Sequence, residues 1–289
     1  MPAAAQGLPT AEQLADDRGI TLDLRQCSGC GVVQLTTPPV PYWREVIRAA
    51  GLSPEMRAFR LAQFGDWLDR HALRGRRILE VGCGRGEYLA LLGEAGADAW
   101  GLEFAPAAVA ACRAAGLQVE QGFLDGPDVR LAGSPFDGFA ILNFLEHLPD
   151  IPGVLRGIAA HLAPGATGLV EVPNFDMILR AGLFAEFIPD HLYYFTRQTL
   201  TGVLAHHGFD VLDCQPAWHD YVLSATVRVR QPVDLSPLAL SQGALKRDFD
   251  AFLARFAPGR VAIWGAGHQA LALISLMDIA PHIRFVLDS

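Results

Sequence analysis

Apolar residues recur along this chain in two alternating patterns. Short compact runs sit at 76–82 (RRILEVG), 98–104, 117–124, 136–142 (within 136–148, a strand running into a loop) and 165–174, each seven to ten residues long and bounded by turn residues. Between them lie stretches with apolar positions three and four apart, at 86–96, 105–116 and 151–165. The first pattern predicts buried strands and the second amphipathic helices. Strand and helix alternating in this way imply parallel strands joined by crossover helices, hence an α/β, doubly wound Rossmann-like sheet. Ahead of it, Ser53, Pro54 and Glu55 read as N-cap, first helical position and acidic first turn. They open a helix whose apolar face is Phe59, Leu61, Phe64, Trp67 and Leu68. Beyond the sheet, 197–209 reads as a helix, and 210–217 and 220–230 as strands of alternating character.

Three segments follow from this pattern. Residues 1–55 form a small N-terminal module with one CxxC, Cys27 to Cys30, a short strand at 32–35 and a proline-rich loop. Residues 56–230 form the main α/β domain. Residues 231–289 hold a linker (QPVDLSPLAL), a helix, and a partial second Rossmann-like unit around WGAGHQALALI. That unit ends on its second strand, so either it packs on a neighbour or the chain continues further. Its Gly-Ala-Gly turn either holds a phosphate group or only packs.

Composition narrows the function. The formal net charge of −8 provides no basic field to draw in nucleic acid. No apolar run reaches membrane-spanning length. The opening MPAAAQGLPTAEQLADD has no basic stretch leading into an apolar one, so no secretory leader is expected. Five cysteines in 289 residues make no disulfide framework. A cytoplasmic protein acting on a small molecule, with no membrane or nucleic-acid partner, is the expectation.

The strand at 76–82 runs into Glu80-Val-Gly82-Cys-Gly84-Arg-Gly86. Glycines here let the backbone turn sharply and approach a ligand. The spacing is GxGxG rather than GxGxxG, and a carboxylate precedes it. That carboxylate would repel a pyrophosphate and would favour a cationic ligand. S-adenosylmethionine is such a ligand, with an ammonium, a sulfonium and no phosphate. Glu103, ending the next strand, is placed to accept hydrogen bonds from ribose hydroxyls, with Phe104 beside it for the adenine face. Glu103 alone would equally suit NAD.

The ordered set ILEVGCGRGEYL, GLEF, FDGFAILNFLEHLPD and LAPGATGLVEVPN resembles the class I S-adenosylmethionine-dependent methyltransferases over about residues 75–230. The resemblance implies that Glu80, Gly82, Gly84 and Gly86 line the methionine end of the cofactor. It places Asp125 at the adenine edge and Asn143 beside the methionine part. Two acid-histidine pairs bear on the acceptor: Glu146-His147 after the fourth strand, and Asp190-His191 after the fifth. Histidine is a suitable general base near neutral pH, and Tyr193, Tyr194 and Phe195 are available to wall the site.

CSGCGVVQL, DHLYYFT and VAIWGAGHQALALI also resemble, in order, the three-part C-methyltransferases of nucleotide-linked deoxysugars. That resemblance implies a small-molecule acceptor methylated at a carbon next to a carbonyl. His191 would be the base, Asp190 its partner, and His147 would hold the enolate or relay the proton. The chain departs from that pattern in three places. Cys27 and Cys30 are one pair where tetrahedral zinc takes four ligands, so no metal is expected. Ile188 stands where that group has a tyrosine, and His219 in WHDYVLS is the remnant of a glycine-rich element. Two other readings stay open: O- or N-methylation of another metabolite, and a non-catalytic scaffold subunit.

Overall fold

The structure, a computed structural model, describes residues 10–15, 18–45 and 52–288. The leader expectation rests in part on positions outside these. In chain order the elements are β1 (Leu24–Gln26), β2 (Val33–Leu35), α1 (Pro54–Arg70), β3 (Arg77–Val81), α2 (Glu87–Glu94), β4 (Asp98–Glu103), α3 (Pro106–Ala114) and β5 (Gln118–Gln121). Then come β6 (Phe136–Leu142), α4 (Ile151–Ala160), β7 (Leu162–Pro173), α5 (Phe175–Ala181), β8 (Tyr193–Tyr194), α6 (Arg197–His206), β9 (Phe209–Ala217) and β10 (Val222–Val229). The last are α7 (Ser236–Leu253), β11 (Val261–Trp264), α8 (His268–Leu276) and β12 (Ile283–Leu287).

The central sheet has seven strands in the order β5-β4-β3-β6-β7-β10-β9. The first five are mutually parallel, whereas β10 runs antiparallel to both β7 and β9. The order reverses beside β3, and in such folds ligands sit there, off the carboxyl ends of the strands. The departure from an all-parallel sheet has a local cause. Trp218, His219 and Asp220 take positive φ angles of 47°, 55° and 67°, and a turn that short can only return the chain antiparallel.

Both faces of the sheet are covered, which is why its strands read as near-continuous apolar runs. Ile78, Ala140, Leu142 and Leu169 pack with Phe64, Trp67 and Leu68 of α1 and Tyr88, Leu91 and Leu92 of α2. Their alternates Leu79, Phe139, Ile141 and Val170 pack with Val154, Leu155 and Ile158 of α4 and Leu200 and Leu204 of α6. Helix α1 begins as its sequence indicates, with Ser53 accepting from Met56 N–H at 3.1 Å. It also buries a charge that its pattern did not flag. Arg60 is fully buried and donates from Nη1 to Glu171 Oε2 of β7 at 2.5 Å.

The N-terminal segment is tied into this body by a second small sheet, β1-β2-β8, in which Val33 pairs with Tyr194 and Gln34 with Tyr193. Strand β1 and helix α5 carry no signal in the sequence pattern, whereas β8 falls in HLYYF, a stretch that also reads as a buried aromatic strand. The chain divides into two compact units, one reaching Gln231 and the other spanning Pro232–Ser289. In the second unit α7 starts at Ser236, so the second half of the expected linker is helical. Asp234 Oδ1 accepts from Ser236 N–H at that start, and Pro237 lies in the first turn, where it needs no N–H partner. Strands β11 and β12 pair in parallel around α8, over a core of Leu253, Met277 and Ile279. Among the described residues no helix is long and apolar enough to cross a membrane.

Candidate functional site

The glycine loop leaves β3 with φ angles of +71°, +57° and +87° at Gly82, Gly84 and Gly86, a region that side chains with a Cβ avoid. The three glycines differ in what surrounds them. A Cβ on Gly82 would lie 2.6 Å from the Phe144 ring, and one on Gly86 would lie 2.4 Å from Leu117. One on Gly84 would meet nothing within 4 Å. The outer two permit close packing; the middle one keeps the loop open to a ligand. Gly84 N–H donates to Glu103 Oε2 at 2.9 Å, and Ala105 N–H donates to Oε1 at 2.8 Å. The carboxylate at the tip of β4 is thus fixed by two backbone donors. Each oxygen keeps a further lone pair for a hydroxyl. Glu80 lies just before the loop on β3 and is buried.

Beside Glu103 is a narrow slot lined by Val81, Gly82, Leu102, Phe104, Phe123, Leu124, Phe144 and Val154, and by Arg44 of the N-terminal segment. Phe104 is partly exposed at its rim. Asp125 is exposed one residue beyond Leu124 and is not among the lining residues. Phe123 and Arg44 are slot residues that sequence reasoning missed. Phe123 stood two positions from the acid that was singled out; Arg44 carried no motif. Asn143, at the end of β6, takes φ +51° and donates its N–H to Glu171 O at 2.9 Å.

The two acid-histidine pairs are brought together. Leu145–His147 is a single 3-10 turn after β6, with Glu146 and His147 buried. His147 Nδ1 lies 2.8 Å from the backbone oxygen of Asp190, and Leu192 N–H donates to Glu146 O at 2.8 Å. The His147 and His191 rings meet edge to face with centroids 4.7 Å apart. Glu146 Oε1 is 3.8 Å from His147 Nε2. Asp190 is buried, and its Oδ1 accepts from the Tyr42 hydroxyl at 2.8 Å. Tyr42 was likewise missed. It is a phenol delivered from the N-terminal segment, where sequence reasoning looked for one at Ile188. Tyr194 O–H instead donates to the Ile188 carbonyl at 3.2 Å, and Phe195 is buried in the core.

Burial sets the charge of this cluster. It pushes the Glu146 carboxyl up to about 8. It pushes His147 down, against the raising effect of the Asp190 carbonyl. Burial together with His147 pushes His191 down to about 3. At neutral pH the three groups are uncharged, two free imidazoles beside a protonated carboxyl. Opposed displacements of this kind separate proton acceptors from a proton donor. One ligand atom from each of Glu146, His147 and His191 lies within 4.8 Å of the others, making this the group among the described residues with the geometry to hold a cation. The predicted relay residue His147 and predicted base His191 are therefore neighbours, and Glu146 joins them.

Two remaining sequence candidates lie on the surface. His219 Nε2 pairs with Glu55 Oε1 at 2.9 Å, both exposed. Cys27 and Cys30 flank a turn in which backbone N–H groups of Cys30 and Gly29 hold the Cys27 thiol below its ordinary range.

Comparisons with known proteins agree on the fold. The chain is 35% identical over 127 residues to a ubiquinone biosynthesis O-methyltransferase of Bordetella avium, covering 42% of this chain and 52% of that one. It is 29% identical over 148 residues to the C-methyltransferase NovU of Streptomyces niveus, covering 50% and 35%. The chain thus spans about half, or less, of the length of these curated relatives. Among solved structures, the PH0226 protein of Pyrococcus horikoshii superposes with a TM-score of 0.51 at 14% identity, over 65% of this chain and 98% of that one. The methyltransferase-domain model matches residues 55–213, more than half of the chain and the part that carries the glycine loop, Glu103 and both acid-histidine pairs. The chain belongs to the methyltransferase domain family.

Proposed function

We propose that this protein transfers the methyl group of S-adenosylmethionine to a carbon next to a carbonyl in a small molecule, a nucleotide-linked keto-sugar being the class favoured by the resemblance to C-methyltransferases. The cofactor is S-adenosylmethionine. The residues present fit it: Gly84 opens the loop, Glu80 and Glu103 offer carboxylates to its cationic end and its ribose, and the slot walled by Phe104 and Phe123 suits a planar base. When bound, it supplies an electrophilic methyl on sulfur.

The observation that carries the reading is the close cluster of Glu146, His147 and His191, joined to the slot through Phe144, whose ring lies 6.4 Å from that of His147. Methylation at carbon needs a base that is free of its proton at neutral pH. His191 is free, and a developing enolate beside it raises its basicity by favouring the imidazolium. His147 donates from Nδ1 to the Asp190 carbonyl, so only Nε2 faces the cluster as an acceptor. That suits it to relaying a proton rather than to stabilising an anion. Glu146, protonated at neutral pH, is the group equipped to donate a hydrogen bond to the enolate oxygen. The balance is simple. The C–H proton goes to His191, its electron pair forms the bond to the methyl carbon, and the C–S pair leaves with sulfur as neutral S-adenosylhomocysteine.

A second reading is favoured by the 35% identity to an O-methyltransferase: the same histidines take a proton from a hydroxyl. Incubation with S-adenosylmethionine labelled with carbon-13 in the methyl separates the two. A panel of nucleotide-linked keto-sugars and hydroxyl-bearing small molecules, followed by NMR of the products, is expected to give a carbon-bound methyl on a keto-sugar. A methoxy signal alone overturns carbon methylation, and no transfer to any acceptor favours a scaffold role.

A further inference from the structure

Three consecutive residues of the N-terminal segment touch both halves of the site. Tyr42 donates to Asp190 at the acid-histidine cluster. Trp43 meets Phe123 edge to face, with ring centroids 5.2 Å apart. The Arg44 guanidinium lies 4.3 Å from the Trp43 ring centroid, 5.2 Å from that of Phe123 and 5.6 Å from that of Phe104. A planar cation is therefore held among aromatic rings in the slot read above as the adenine site. The free volume left there is about 10 Å³, the room of about one water molecule. The guanidinium lies over the Phe104 and Phe123 rings against which a purine would stack.

We propose that Tyr42, Trp43 and Arg44 form a strap that gates the cofactor slot, with Arg44 as its built-in occupant and Tyr42 as its anchor on Asp190. The proposal rests on the cofactor reading above. A guanidinium and an adenine are alike in what such a slot recognises: both are flat, polar at the edge and able to lie against aromatic faces. Cofactor entry exchanges one for the other, and the association rate carries the cost of lifting Arg44 off the Phe104 and Phe123 rings. Because the anchor ends on a residue of the acceptor site, lifting the strap also strains the Tyr42–Asp190 bond. Filling the cofactor slot is thereby coupled to the geometry of Asp190.

The test is stopped-flow tryptophan fluorescence with S-adenosylhomocysteine on the full chain. Arg44→Ala is expected to speed association about two- to thirty-fold, the range that corresponds to losing a cation–π contact. Arg44→Lys, which keeps the charge but loses the plane, falls between Arg44→Ala and the parent. Tyr42→Phe also speeds association, by releasing the anchor. If Arg44→Ala associates at the parent rate or more slowly, the gate is overturned. If only Tyr42→Phe leaves the rate unchanged, the anchoring on Asp190 is overturned. If the parent takes up no S-adenosylhomocysteine while its thermal transition is intact, the cofactor reading itself falls. Thermal melts of each variant separate these results from unfolding.

Discussion

His147 Nδ1 lies 2.8 Å from the backbone carbonyl oxygen of Asp190, a residue 43 positions away. A carbonyl only accepts, so the ring carries its hydrogen on Nδ1 and presents a bare Nε2 to the cluster. One backbone contact therefore fixes the tautomer of one candidate catalytic histidine and places the segment that carries the other.

The two histidines differ in what they hold. His191→Ala is expected to slow methyl transfer about 10²- to 10⁴-fold, the usual worth of a general base, with little change in S-adenosylhomocysteine affinity or melting temperature. His147→Ala is expected to cost turnover and also about 1–3 kcal/mol of stability, through the Asp190 carbonyl left buried without its donor. Initial rates, titration calorimetry and thermal melts distinguish the two. Full activity in His191→Ala rules it out as the base.

The cluster also predicts a pH profile for stability. Glu146 is raised from 4.5 to about 8, so between those values the folded state binds a proton that the unfolded chain lacks. Its contribution falls as pH rises through that window. His191, lowered from 6.5 to about 3, acts in the opposite sense: stability rises with pH up to about 6.5. His147 shifts in the same direction as His191. From pH 6.5 to 8 the histidine contributions have levelled off, and Glu146 contributes a fall of at most about 1.4 kcal/mol per pH unit, opposed by the lowered thiol of Cys27. The melting temperature is expected to fall over that interval, and Glu146→Gln to flatten the fall. An unchanged slope in the variant refutes the raised carboxyl.

The glycine loop separates packing from binding. Gly84→Ala meets open space, so it costs only its positive φ, about 1–2 kcal/mol, together with cofactor affinity. Gly86→Ala adds collision with Leu117 and Cys112, about 1–3 kcal/mol more. Glu103→Ala is expected to weaken S-adenosylhomocysteine binding by about 1–3 kcal/mol. Calorimetric affinity equal to the parent contradicts the ribose role.

Beneath the sheet, Arg60 and Glu171 form an ion pair with both side chains fully buried. Gln63 Nε2 donates to the second oxygen of Glu171 at 2.5 Å. Glu171→Ala strands the guanidinium and is expected to cost about 3–5 kcal/mol, whereas the double change Arg60→Met with Glu171→Leu recovers most of it. Denaturant melts of the three proteins check this, and equal stability of the single and double variants argues against it.

Much of the α/β body was legible in the chain because its signals are local. Apolar runs such as 78–81 and 139–142 mark strands buried on both faces. Ser53 with Pro54 marks a helix start, and glycines 82, 84 and 86 mark a turn that only they can make at low cost. The resemblance carried both acid-histidine pairs to the carboxyl edge. Tertiary structure decided the rest. Arg60 reads as a surface charge on an amphipathic helix until Glu171, 111 residues away, supplies a buried anion. Tyr42, Trp43 and Arg44 carry no periodicity and no motif, and they acquire meaning only where the β1-β2-β8 sheet docks their segment against Asp190 and Phe123. The charge states of Glu146 and His191 likewise come from desolvation by distant segments. Residue type and spacing set what a stretch of chain is able to form; burial and partner choice arise from contacts between stretches far apart in sequence, and those exist only once the chain has folded.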